Sequence, residues 1–148
     1  MNDLFTEYEK ALKEGYFKWV DGKKCLKEEF IVKYPKRIAD ELAYDRRDKR
    51  TFKNKNKNKL SQIWKFYDHA RWIQDSLRLR GEPLDVLKAT LYELMPAAAY
   101  ALERATITDD FREFIDLNVS NIKDKEDLDA FVKHFQSLIA YLPRENSR

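Results

Sequence analysis

Apolar residues recur three or four positions apart along most of the chain, which is the spacing of one face of an α-helix. The longest run predicts a helix that ends before Gly81, with Asn58 or Ser61 available as its N-cap. A second run begins after Pro83 and contains Pro96, which must kink or briefly break the helix. The apolar positions of the two runs are Leu60, Ile63, Tyr67, Ala70, Ile73 and Leu77, then Leu84, Leu87, Leu91, Leu94, Ala98 and Leu102.

Shorter patterns of the same kind predict the other helices. Between the first two of them, Asp21-Gly22 is a favoured hairpin turn, so Tyr16–Val20 and Lys24–Leu26 form either a small hairpin or an ordinary loop. The remaining helices are one with Leu4, Phe5, Tyr8 and Leu12 before Gly15, one opened by Pro35 with Ile38, Ala39 and Leu42, one marked by Phe111, Phe114 and Ile115, and a last one capped by Asp124 that stops before Pro143.

Turn residues are scarce in this chain. Its 148 residues include three glycines and four prolines, whereas β-sandwiches and collagen-like chains use many more. A hydrophobic fraction of 43% with 14% aromatic residues is sufficient for the core of one domain. We therefore expect an all-α protein, a compact bundle of five or six helices that forms a single domain over residues 1–148.

No stretch has the pattern of a membrane span or a secretion signal. The most apolar stretch, Leu91 to Leu102, is interrupted by Glu93 and is shorter than the roughly 20 residues that a span needs. The single cysteine, Cys25, cannot form an internal disulfide. We expect a cytoplasmic protein with no membrane partner, in which Cys25 is a small buried hydrophobe.

Residues typical of catalytic centres are few. The sequence has no phosphate-cradling glycine motif, no nucleophile elbow and no cysteine pair. His69 and His134 lie on predicted helices, where we expect them to be partly exposed, and neither has a histidine or cysteine at metal-ligand spacing. We expect no catalytic residue, no metal and no cofactor, and keep a small ribonuclease with these two histidines as acid and base as the third hypothesis.

The positive charge is concentrated in fourteen residues. The chain has 29 basic and 26 acidic side chains, a net charge of +3, yet residues 46–59 alone hold eight basic side chains and one acidic. Several poor helix formers stand among them, which predicts a mobile basic loop. Such a loop suits an RNA phosphate backbone, although a loop that only aids solubility has the same composition. Its candidate RNA-binding residues are Lys53, Lys55, Lys57 and Lys59.

Basic side chains continue beyond the loop. The long helix after it carries Lys65, Arg71 and Arg78 on its polar surface, and Arg104 ends the next helix, so the positive surface extends onto rigid elements. Aromatic residues at helical spacing pack in a core more often than they stack on bases. We interpret four of them as core or helix contacts: Trp64, Phe66, Tyr67 and Trp72.

Five stretches of the chain carry short motifs whose order and spacing are informative. The stretches are Leu60–Tyr67, Leu94–Arg104 and Phe131–Tyr141, after Leu26–Ile31 and Ile38–Ala39. They contain Ser-Gln-x-x-Lys-Phe, Tyr-x-x-x-Arg and Ile-Ala-Tyr elements. In order and spacing they resemble the small subunit of type III-A CRISPR effector (Csm) complexes, except that Trp64 stands where that family usually has arginine and Gln136 where it has an acidic residue.

The resemblance implies a non-catalytic, all-helical subunit that stacks in several copies along the duplex of guide RNA and target RNA in antiviral defence. It implies contacts with the RNA backbone and with other Csm subunits, without sequence specificity. The basic positions it points to are Lys59, Lys65 and Arg104 in or beside the motifs, and Arg71, Arg78 and Lys133 on the same helices. The alternative hypothesis is a helical protein–protein adaptor with a solubilising basic loop.

Overall fold

Seven α-helices and one β-hairpin follow one another in the computed structural model, which describes residues 3–44, 54 and 56–143. Six of these helices have ten residues or more, so the predicted helical bundle is confirmed. The elements are α1 (Asp3–Glu14), β1 (Phe17–Val20), β2 (Lys23–Leu26), α2 (Lys33–Ala43), α3 (Leu60–Arg80), α4 (Lys88–Tyr92), α5 (Leu94–Glu103), α6 (Asp109–Ser120) and α7 (Lys125–Tyr141), with 3-10 turns at Glu28–Phe30 and Leu84–Leu87.

Helix α3 ends as its sequence predicts but begins differently. Gly81 adopts the left-handed conformation and its backbone N–H donates to the carbonyl of Leu77 at 2.8 Å, which is the usual glycine C-cap. At the other end Lys59 occupies the N-cap position, and no side chain caps the helix. The prediction that Asn58 or Ser61 caps α3 is therefore wrong.

Asn58 instead joins the start of α3 to two other parts of the bundle. Its side-chain amide donates to the carbonyl of Leu42 at 3.0 Å and to the hydroxyl of Thr108 at 2.9 Å, and its Oδ1 accepts from the N–H of Thr108 at 3.0 Å. Its own N–H donates to the carbonyl of Thr106. Asn58 is fully buried, so the basic run is anchored at this end rather than mobile.

We expect Asn58→Ala to lower the free energy of unfolding by about 2 kcal/mol. The change leaves the Leu42 carbonyl and the Thr108 N–H without this partner, and it puts alanine at a φ of 57°, which asparagine tolerates better. Urea denaturation measures the loss. Asn56→Ala, two residues away and exposed, is the control, and equal losses in both variants would contradict the anchoring role.

The second predicted long helix is interrupted at Glu93. It consists of a 3-10 turn, α4 and α5, and the break falls just before the segment that holds Pro96. Pro96 is the third residue of α5, a position where a backbone N–H would have no partner within the helix. The predicted break is confirmed, and its cost is small because the proline lies in a first turn.

The hairpin, one of two alternatives left open by the sequence, is present. Strands β1 and β2 pair antiparallel with Val20 opposite Lys23. Between them Asp21 and Gly22 both have positive φ, as a tight two-residue hairpin turn requires. Cys25 lies on β2 and is partly exposed, so its prediction as a buried residue is wrong.

Aromatic side chains fill much of the core. Helix α7 packs against α2 and α3, and α5 packs against α6, so the apolar stripes of the helices meet in one continuous cluster. The fully buried aromatic rings come from the N-terminal segment as well as from the later helices: Tyr8, Tyr16, Tyr34, Phe30, Phe111, Phe114, Phe131 and Phe135.

A chain of hydrogen bonds runs through this core. The hydroxyl of Tyr16 donates to Oδ1 of Asn118 at 2.8 Å, and the Asn118 amide donates to the hydroxyl of Tyr8 at 2.6 Å. Tyr8 in turn donates to Nε2 of His134, whose Nδ1 donates to the carbonyl of Phe30 at 2.6 Å. Burial raises the pKa of both tyrosines and lowers the pKa of His134 to about 4.

Candidate functional site

A groove of about 510 Å³ lies between α3 and α5 and is lined by two of the predicted RNA-binding residues. Lys65 comes from α3 and Arg104 from the C-cap of α5. Gln62 and His69 line the same groove because they stand three residues before and four after Lys65, on one face of the helix. The packing of α3 and α5 thus brings together cations that are 39 positions apart in the sequence.

Arg104 is held in place by a neighbouring aromatic ring. Its Nη1 donates to the hydroxyl of Tyr100 at 2.9 Å, and its guanidinium carbon lies 5.4 Å from the centre of that ring. Tyr100 stands one helical turn earlier and also lines the groove. Tyr100 is not among the site residues predicted from the sequence, although the Tyr-x-x-x-Arg spacing places it one helical turn before Arg104.

The groove is positive but not uniformly so. Lys65 is exposed and has no ion pair among the residues that the structure describes. Glu93 at the break between α4 and α5 adds one carboxylate to the lining. Two permanent cations against one anion leave the groove with an excess of positive charge.

The two histidines do not form a pair. His134 is buried in the hydrogen-bond chain of the core, so the prediction that it is partly exposed is wrong. His69 faces the groove, and its Nε2 donates to the carbonyl of Thr90 at 2.8 Å, which ties α3 to α4. Since His134 has no access to a ligand at the surface, these residues do not constitute the acid and base of a ribonuclease.

Arg71, Arg78 and Lys133 lie away from this groove. Arg71 donates to the hydroxyl of Tyr67 at 3.2 Å, and Arg78 lies 3.6 Å from the carboxylate of Asp129 on α7. Lys133 is exposed one turn after Asp129 and therefore shares its face. Arg71 and Arg78 are seven residues apart and share one face of α3, and the charge of Arg78 is partly compensated by Asp129.

Lys57 and Lys59 are the lysines of the basic run that the structure describes. Lys57 is exposed, but it lines a shallow pocket together with Asp109 and Asp110 at the start of α6. Lys59 is half-buried at the start of α3. Lys53 and Lys55 lie outside the described residues.

The aromatic residues of α3 divide into buried and exposed sets. Phe66 and Tyr67 are buried, which confirms their interpretation as core residues. Trp64 and Trp72 are 40% and 55% exposed, so neither is a core residue. Trp64 packs edge-to-face against Tyr67 with ring centres 5.0 Å apart, and much of its surface remains open to a partner.

Within residues 3–44, 54 and 56–143, no three histidine, cysteine, aspartate or glutamate side chains cluster as metal ligands would. In those ranges no helix has the length and apolar character needed to cross a membrane.

By its fold the protein is a small helical bundle with a cationic groove between two helices. The family model for Csm2 Type III-A matches residues 32–146, and the chain belongs to that family, the small structural subunits of type III-A CRISPR effector (Csm) complexes. The resemblance noted in the sequence is thereby confirmed. No curated protein and no solved structure matches the chain. The family match begins after the hairpin, so α1, β1 and β2 precede the matched residues.

Proposed function

We propose that the protein is a non-catalytic RNA-binding subunit of its Csm complex, which contacts the backbone of guide RNA and target RNA without reading their sequence. The observation that carries this proposal is the convergence of Lys65 and Arg104 on one groove. Family membership supports it, because a subunit of this family associates with the other subunits of the Csm complex. The groove lies within the residues that the family model matches.

Charge and geometry both suit a phosphate backbone. Lysine and arginine neutralise phosphates and release counterions, which gives affinity that depends on salt and not on sequence. Arg104 is already oriented by Tyr100, so it loses less side-chain freedom when it binds. A single copy with few contacts binds weakly, and several copies along one RNA gain avidity from the high effective concentration.

The remaining candidate residues differ in how well their surroundings suit a phosphate contact. Arg71 and Lys133 are exposed and offer a second contact along α3 and α7, whereas Arg78 shares its charge with Asp129. Lys57 lies near carboxylates, which weakens its attraction for phosphate. Lys59, Lys53 and Lys55 are proposed on their positive charge alone.

Reversing the two groove charges tests the proposal. We expect Lys65→Glu with Arg104→Glu to lower the affinity for RNA at least tenfold. Two lost contacts on a single strand should also reduce the slope of log affinity against log salt by about 1.4. Fluorescence anisotropy with labelled RNAs of unrelated sequence, at several salt concentrations, measures both effects.

Lys36→Glu is the matched control for this experiment. Lys36 is exposed on α2, which packs against α1, α6 and α7 and away from the groove. We expect its reversal to change RNA affinity less than twofold. Unchanged RNA binding in the double variant, with altered association with other Csm subunits, would instead favour the adaptor hypothesis.

Exposed tryptophans support contacts with other proteins. Trp19 at the end of β1 is 70% exposed and Trp72 on α3 is 55% exposed, and tryptophan is enriched among the residues that dominate protein interfaces. We propose that these surfaces contact other Csm subunits and further copies of this chain, in the cytoplasm. They serve the assembled complex alongside RNA binding and do not replace it.

A further inference from the structure

The groove between α3 and α5 has an aromatic ring as well as cations. Tyr100 is 62% exposed, which is unusual for a large ring, and it lines the groove beside Arg104. Its hydroxyl accepts from the arginine, so the position of the ring is fixed relative to the cation. An exposed ring next to positive charge is the arrangement that single-stranded nucleic acids occupy, because bases stack on the ring while phosphates meet the cations.

The size of the groove favours a small ligand. A volume of about 510 Å³ falls in the range of sites for small molecules and cofactors, and a single nucleotide belongs to that size class. Bases within an A-form duplex are stacked on each other, so their faces are not free to stack on a tyrosine ring at the protein surface. Only an unstacked nucleotide brings both its phosphate and its base into contact with this surface.

We propose that the groove holds one nucleotide of single-stranded RNA, with the phosphate on Lys65 and Arg104 and the base stacked on Tyr100. The inference rests on the proposed RNA-binding function and adds the form of RNA that this site takes. Gln62 and Glu93 at the lining offer polar groups to the edge of the base. Stacking uses the face of the base, which every base has, so the site tolerates all sequences.

The chain contains a matched control for the aromatic contact. Tyr92 on α4 is also exposed, at 38%, and the ammonium of Lys88 lies 6.0 Å from the centre of its ring. This second pair of tyrosine and cation is not part of the groove lining. If the loss of any exposed tyrosine near a cation weakened RNA binding, Tyr100→Ala and Tyr92→Ala would both lower RNA affinity. A nucleotide site in the groove predicts a loss of affinity for Tyr100→Ala alone.

The test compares a short unstructured RNA, such as a ten-residue oligouridine, with an RNA duplex of similar length. We expect Tyr100→Ala to lower affinity for the single strand about tenfold and to leave duplex affinity within twofold. Tyr100→Phe keeps the ring and should retain most of the single-strand affinity. Tyr92→Ala should match the wild-type protein on both RNAs, and thermal unfolding checks that all variants are folded.

Other outcomes separate this inference from the function on which it rests. If the double reversal of Lys65 and Arg104 weakens RNA binding while Tyr100→Ala does not, the nucleotide site is overturned and the backbone-binding function remains. Equal losses on single strand and duplex in Tyr100→Ala overturn it as well. If neither set of variants changes RNA binding, both proposals are wrong.

Discussion

Asn118→Ala is expected to lower the free energy of unfolding by about 4 kcal/mol, the largest effect of any single change proposed. Asn118 is fully buried, and its amide bonds to Tyr16, Tyr8 and the carbonyl of Phe114. Truncation leaves the Tyr16 hydroxyl without its acceptor and removes the amide that donates to the Tyr8 hydroxyl. It also opens a cavity among aromatic rings. Chemical denaturation followed by circular dichroism measures the loss.

Asn121 provides the control for this variant. Its side-chain amide donates to the carbonyl of Leu117 at 2.7 Å, the same four-residue spacing as the bond from Asn118 to Phe114, but it lies partly exposed at the end of α6. Asn121→Ala therefore removes one hydrogen bond where water can replace it, and we expect a loss below about 1 kcal/mol. Similar losses in the two variants would show that the buried chain of hydrogen bonds is not a special source of stability.

Local sequence patterns were sufficient to predict most helices but not the buried chain of hydrogen bonds. Gly81 and Pro143 mark helix ends through their own conformational limits, and Asp124 caps α7 by accepting from the N–H of Asp127 at 2.9 Å. Such signals act within a few residues. The bond between Tyr8 and His134 joins positions 126 residues apart, so no periodicity or spacing in the sequence indicates it.

The sequence predicts which positive charges belong to the candidate site, but it does not predict which of them lie together. Lys65 and Arg71 are six residues apart, which on an α-helix turns them by about 240°, so they lie on different sides of α3. From the sequence, both residues are expected on one polar surface of the helix. The partner of Lys65 is Arg104, and only the packing of α3 beside α5 shows that these two side chains share a groove.

The hydrogen-bond chain also connects the two parts of the molecule that the family comparison separates. Asn118 and His134 lie within the matched residues 32–146, whereas Tyr8, Tyr16 and Phe30 precede them. Both Asn118 and His134 therefore have hydrogen-bond partners in the N-terminal segment. Because an unpaired buried polar group is costly, this segment is an integral part of the fold in this chain.

The second large effect is a dependence of stability on pH that comes from His134. Its pKa is about 4 in the folded protein, because burial disfavours the charged ring, and about 6.5 in the unfolded chain. Between these values the unfolded chain binds more protons than the folded protein, so stability falls as the pH falls from 6.5 towards 4. The difference corresponds to roughly 3 kcal/mol in total, and the slope near pH 5 is about 1 kcal/mol per pH unit.

Urea denaturation at pH 7, 6 and 5 measures this slope, and His134→Gln is expected to remove most of it. The comparison uses slopes, so it holds even where the variant is less stable at every pH. His69→Gln serves as the control, because His69 is partly exposed and bonds a backbone carbonyl outside the buried chain. It should keep the wild-type slope, and a slope that survives in His134→Gln would place the titrating group elsewhere.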